Sequence, residues 1–164
     1  MTKVYFFDTN IISHMMRETA GLAAQRFAAA YKANALIKMA TSVIVQCELE
    51  FGLVRRPNQR LRAAYERIVP LLDVMPLTEV VTAHYAQLRT QLEAAGTPIG
   101  ANDLLIAAQA LSINATLVSA DVEFLRVPGL QVENWLVDEN QAQNRVKSGS
   151  NQDQNMPLAQ QIRV

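Results

Sequence analysis

Apolar positions in this chain alternate between short continuous runs and helix-period stripes. Val4-Tyr5-Phe6-Phe7 is β-branched and aromatic, and predicts a buried strand over residues 3–7. A short helix is expected over Thr9 to Arg17. An alanine-rich helix follows over Ala20 to Ala35, with Leu22, Phe27 and Tyr31 for packing. Leu36 to Ala40 is the second strand. Thr41 or Ser42 offers an N-cap for a helix running to about Val54. Arg56-Pro57-Asn58 breaks the chain, and Arg60 to Val69 forms another helix that Pro70 ends.

Val74 to Leu77 is a short third strand. Thr78 is the expected cap of a helix from Glu79 to about Ala95, with Gly96 at its C′ position. After the loop Thr97-Pro98-Ile99-Gly100, Asn102 or Asp103 is the expected cap of a helix reaching Ser112. Thr116 to Ser119 and Leu130 to Trp135, separated by the Pro128-Gly129 turn, supply the last strands. Helices recur between strands, which predicts an α/β fold: one domain over residues 1–137, with a central, mostly parallel sheet of four to five strands. Residues 138–164 differ. Asn and Gln supply ten of the last 25 residues, so this tail is expected to be disordered or marginally helical.

Composition adds limits. The 164 residues suit one domain with a sizeable core. Fifteen basic and fifteen acidic residues balance, so overall charge does not announce a polyanion binder, although a local basic patch still serves one. The single cysteine, Cys47, excludes an intramolecular disulfide and is expected as a small core residue. No apolar run approaches the ~18 residues of a membrane span, and only four apolar residues separate Lys3 from Asp8, unlike a signal peptide. A cytoplasmic protein is expected.

Four acids change the picture. Asp8 ends the first apolar run, Glu48 interrupts the Val43–Leu53 stretch, Asp103 opens an apolar helix, and Asp121 follows the fourth strand. A desolvated carboxylate prefers to be neutral. Taken singly, Asp8, Asp103 and Asp121 are ordinary helix caps or first-turn acids. Glu48 is harder to dismiss, since Val45, Cys47, Leu49 and Phe51 around it are apolar. A parallel sheet can bring all four to the carboxyl ends of its strands, where a divalent cation with oxygen ligands would neutralise them together.

At these residues the chain resembles the PIN-domain ribonucleases, and among them the VapC toxins of bacterial type II toxin–antitoxin systems. The resemblance rests on Phe7-Asp8-Thr9-Asn10, on Glu48-Leu49-Glu50-Phe51-Gly52, on Gly100-Ala101-Asn102-Asp103 with Leu104-Leu105-Ile106-Ala107-Ala108, and on Leu117-Val118-Ser119-Ala120-Asp121-Val122-Glu123-Phe124. Val127 to Trp135 is also typical, and the match spans residues 3–136 in order. It implies a metal-dependent endoribonuclease that hydrolyses RNA phosphodiesters with metal-activated water, leaving a 5′-phosphate and a 3′-hydroxyl. It assigns Asp8, Glu48, Asp103 and Asp121 to catalysis and metal binding, with Asp8 and Asp103 as direct ligands of Mg2+ (or Mn2+) and Glu48 and Asp121 bound directly or through water. Glu48 is preferred to Glu50, and Asp121 to Glu123. Thr9, Asn10, Ser119 and Glu123 are expected to support the site.

RNA contacts are expected from Arg55, Arg56, Arg89 and Arg126, with Arg60, Arg62 and Arg67 extending the densest basic stretch. His14 and His84 are lone and are expected to be structural or on the surface. The resemblance also implies a homodimer silenced by a VapB antitoxin, which lies in an apolar groove and sends an Arg into the acidic site. The helices at 42–54 and 58–69 are the expected lining: their apolar residues Leu49, Phe51, Leu53, Leu61, Tyr65 and Ile68 are more than the core needs, so a share of them is expected to be exposed. Two other readings stand beside this one. A PIN-like scaffold could bind RNA or a partner without cutting. A haloacid-dehalogenase-like phosphatase shares the strand-then-Asp opening, but its second acid would fall on Asn10, and no lysine lies between Lys38 and Lys147.

Overall fold

A computed structural model of the chain describes residues 2–33 and 36–138. The expected tail from Glu139 onward, and Asn34 and Ala35 at the end of the expected second helix, lie outside these. The elements run β1 (Lys3–Phe7), α1 (Thr9–Arg17), α2 (Leu22–Ala33), β2 (Ile37–Ser42), α3 (Val43–Arg55), α4 (Gln59–Ile68), β3 (Asp73–Met75), α5 (Val81–Ala94), α6 (Ala101–Ser112), β4 (Thr116–Val118), a 3-10 helix (Val122–Arg126) and β5 (Gln131–Glu133). The five strands form one sheet in the order β3-β2-β1-β4-β5, every pair parallel. No described helix is long and apolar enough to cross a membrane.

The strand order sets the position of any site. The chain builds β1, β2 and β3 to one side, then crosses back to lay β4 and β5 on the other, so order reverses between β1 and β4. In open parallel sheets such a reversal leaves a crevice beyond the carboxyl ends of the two strands. Phe7 registers with Thr41 and Val118, so Asp8 leaves the sheet beside the ends of β2 and β4. The Asp8 N–H is still held by the Val118 carbonyl at 3.1 Å.

Packing makes this edge rigid. Phe6, Phe7, Ile11, Ile12, Ile106, Leu117, Val118 and Phe124 are wholly or almost wholly buried. Phe7 meets Trp135 and Phe27 edge-on at 5.2 and 5.3 Å between ring centres, joining β1 to α2 and to the chain after β5. Arg26 donates to the carbonyls of Asn134 and Val137, fastening α2 to the same segment.

One local choice is decided and three expectations change. Ser42 caps α3 by accepting from the Ile44 N–H, while Thr41 stays in β2 and donates to the Phe7 carbonyl at 2.7 Å. Thr78 caps nothing with its side chain: α5 begins at Val81, after a turn in which the Thr78 carbonyl accepts from the Val81 N–H. Neither Asn102 nor Asp103 caps α6, because that helix starts earlier, with Gly100 at the N-cap. Cys47 is exposed, not in the core. Val45, Leu49 and Leu53 form the buried stripe of α3, and a residue two positions from the stripe faces nearly the opposite way.

Candidate metal centre

Asp8 begins α1 as its N-cap, its Oδ1 accepting from the Thr9 N–H at 2.8 Å. Its Oδ2 accepts from Asn10 Nδ2 and from Ser119 Oγ, both at 2.7 Å. Only 4 % of Asp8 is exposed. Burial pushes its carboxyl up, the Ser119 and Thr9 hydrogen bonds pull it down, and the nearby charges of Glu48 and Asp121 push it up again.

Ser119 is the junction between β1 and β4. Besides donating to Asp8, its hydroxyl accepts from the Asp121 N–H at 3.1 Å and from Asn10 Nδ2 at 3.0 Å. Asn10 Oδ1 accepts from the Ala120 N–H at 3.0 Å, so the Asn10 amide spans the crevice between the two strands. Asp121 then caps the 3-10 helix, accepting from the Glu123 N–H at 2.8 Å.

Glu48, nearly two turns into α3, reaches the same place. Thr9 Oγ1 donates to one of its carboxylate oxygens, and Asn102 Nδ2 donates to the other at 2.9 Å. Glu50 lies elsewhere. Both of its carboxylate oxygens accept from Arg62 Nη1, at 2.9 and 3.0 Å, which holds its carboxyl below the usual range.

Asp103 sits in the first turn of α6. Its carboxyl is pushed up to about 6, first by burial and then by Asp8, Asp121, Glu48 and Glu123 in that order. Asp103, Asp121 and Glu123 each bring one carboxylate oxygen within 4.8 Å of the others. Glu123, expected only in support, therefore lies in the tightest acidic group of the described residues. Gly100 makes room for Asp103: a Cβ there would stand 2.7 Å from Asp103 Oδ2. Gly100 and Asn102 went unrecognised as contributors because the motif spacing shows no cross-chain contact.

The electrostatics are one-sided. Among the described residues, Asp8, Glu48, Asp103 and Asp121 form no ion pair; only Glu123 has a cationic neighbour, Arg126 at 3.7 Å. Every donor to Asp8 and Glu48 is a neutral hydroxyl, amide or backbone N–H. Neutral donors orient carboxylates without cancelling their charge. An all-oxygen, strongly anionic donor set fits a hard divalent cation such as Mg2+ or Mn2+. Neither histidine joins an acidic group.

A profile of the PIN domain matches residues 5–130. The chain belongs to the PIN-domain family. VapC proteins are among the relatives it matches. It is 34% identical over 134 residues to "Ribonuclease VapC2" of Rickettsia felis, covering 80% of this chain and 98% of that protein. It is 35% identical over 135 residues to "Ribonuclease VapC1" of Haemophilus influenzae, with the same coverage. The fold of this PIN domain is similar to a chain in the crystal structure of VapBC2 from Rickettsia felis bound to a DNA fragment from their promoter. That likeness has a TM-score of 0.74 at 32% identity, covering 80% of this chain and 98% of the other.

Proposed function

We propose that this protein is the toxin of a VapBC-type toxin–antitoxin pair, a metal-dependent endoribonuclease that acts in the cytoplasm on RNA and is silenced by a VapB-type antitoxin. The observation that carries this reading is the convergence of Asp8, Glu48, Asp103 and Asp121, from four separate segments, on the β1–β4 crevice with no cationic side chain among the described residues paired to any of them. A scaffold that merely bound RNA would gain nothing from concentrating negative charge where phosphates must approach.

Asp8 and Asp103 would hold Mg2+ or Mn2+ directly, while Glu48 and Asp121 would hold it directly or through water, with Glu123 beside them. When bound, a divalent cation supplies Lewis acidity at the phosphate and makes water acidic enough to attack near neutral pH. Asn10 and Ser119 keep Asp8 and the Asp121 turn in register, and Thr9 holds Glu48. Arg126, paired with Glu123, stands at the rim and would take a phosphate of the same RNA strand. Arg55 and Arg56, exposed at the end of α3, would take more distant phosphates. Arg89 is occupied by Glu93 and Tyr85 on α5 and would have to release them first.

For the antitoxin, α3 keeps an exposed apolar share. Leu49, Leu53 and Tyr65 are buried in the core, whereas Phe51 and Val54 stand exposed on α3. A groove of about 290 Å³ between α1, α2 and α4, lined by Met15, Phe27, Ala64 and Ile68 among others, offers a second apolar surface. A homodimer is the matching assembly.

Incubation of the purified protein with total RNA, in Mg2+ or Mn2+ against EDTA, tests the activity. Metal-dependent cleavage lost in Asp8→Asn and Asp103→Asn is expected. Cleavage in EDTA, or full activity in both variants, would overturn the mechanism. Expression of the chain alone should arrest growth, and co-expression of its antitoxin should restore it.

A further inference from the structure

Glu48 is clamped from two sides, by Thr9 Oγ1 and by Asn102 Nδ2. The position of Asn102 is unfavourable on local grounds. It is second in α6, where asparagine is a weak helix former, and asparagine favours helix starts chiefly when its side chain caps the backbone. No side chain caps α6. The Asn102 amide instead crosses to a residue 54 positions earlier, on another helix.

We propose that Asn102 is a positioning residue for the metal centre, its amide fixing the Glu48 carboxylate in the orientation that serves the divalent ion. The proposal rests on the reading of Asp8, Glu48, Asp103 and Asp121 as one centre. Glutamate is long and flexible, and Asp8, Asp103 and Asp121 repel it toward solvent while no cation is bound. A neutral amide opposes that escape and leaves the negative charge intact for the metal. A lysine or arginine at residue 102 would hold Glu48 equally well but neutralise it. Because Asn102 adjoins Asp103, one turn of α6 fixes both an acid of the site and the orientation of a second acid on α3.

The test is Mn2+ affinity, measured by calorimetry on the purified full chain, for Asn102→Leu in the parent and in a Glu48→Gln background. Loss of such an outer contact is expected to weaken binding about tenfold in the parent. It should add nothing once Glu48 is Gln, because the two residues act through one interaction. Asn102→Ser keeps a donor and should recover part of the loss. Since Asn102 is exposed, the metal-free melting temperature should stay within a few degrees of the parent. Parent-like Mn2+ affinity in Asn102→Leu, or an equal loss in both backgrounds, overturns the proposal alone. Unchanged affinity in Glu48→Gln overturns the metal-centre reading together with it.

Discussion

Gly100 and Asp103 approach so closely that any side chain on the first would collide with the carboxylate of the second: a Cβ at Gly100 would lie 2.7 Å from Asp103 Oδ2. The Gly100 backbone, at φ −57° and ψ 150°, is open to any residue, so space at the site, rather than backbone conformation, requires glycine. Gly100→Ala is therefore expected to fold normally and to push the Asp103 carboxylate aside. A displacement of this kind is expected to lower kcat/KM for RNA cleavage about tenfold or more, with a melting temperature close to the parent's. Steady-state cleavage and a thermal melt, run together, separate this from general damage; parent-like cleavage would refute it.

The raised Asp103 carboxyl sets a pH dependence. Between its ordinary value near 3.8 and about 6, the folded metal-free protein keeps a proton that the unfolded chain has released. The folded state then binds more protons than the unfolded, so this group's contribution to stability falls as pH rises through that window. Asp8 is shifted in the same direction. Bound metal reverses the balance, because it requires the ionised form. Melting curves should accordingly show Mg2+ stabilising the protein more at pH 7 than at pH 5, and Asp103→Asn should flatten the difference. Equal Mg2+ stabilisation at both pH values would contradict the account.

Ser119 serves three partners from a site only 1 % exposed. Ser119→Ala removes a donor from Asp8 and leaves the Asp121 N–H without its acceptor. A buried polar group stripped of its partner costs about 1–3 kcal/mol. Urea denaturation should register a loss of that size, accompanied by weaker RNA cleavage. A stability change below about 0.5 kcal/mol would mean that the hydroxyl is dispensable to the β1–β4 junction.

Glu48 and Glu50 should respond in opposite ways. Glu50 is satisfied by Arg62 on the protein surface, and exposed pairs contribute roughly 0–1 kcal/mol. Glu50→Gln should cleave RNA like the parent, whereas Glu48→Gln should lose most of its activity with little change in folding. Comparable activity losses in both variants would dissolve the distinction between the two acids.

The elements were legible wherever a local signal was strong. The apolar run before Asp8 predicts β1, and the helical stripe Val45, Leu49, Leu53 is the buried face of α3. The signal failed where it was ambiguous. Thr78, Asn102 and Asp103 are all good caps by residue type, yet the start of α5 or α6 depends on where the preceding loop releases the chain. Cys47 looked apolar enough for the core, but a helix has one buried stripe and Cys47 lies off it.

By itself the sequence determined the strand–helix alternation, the identity of the acids and the family they mark, because those follow from residue type and spacing along the chain. Tertiary structure decided what surrounds each acid: that Asn102 donates to Glu48, that Glu123 joins Asp103 and Asp121, and that Glu50 belongs to Arg62. Hydrogen bonds and charge repulsion act over a few ångströms in space. The residues that meet beyond the ends of β1 and β4 are up to 111 positions apart in the chain, a distance over which local pattern carries no information about contact.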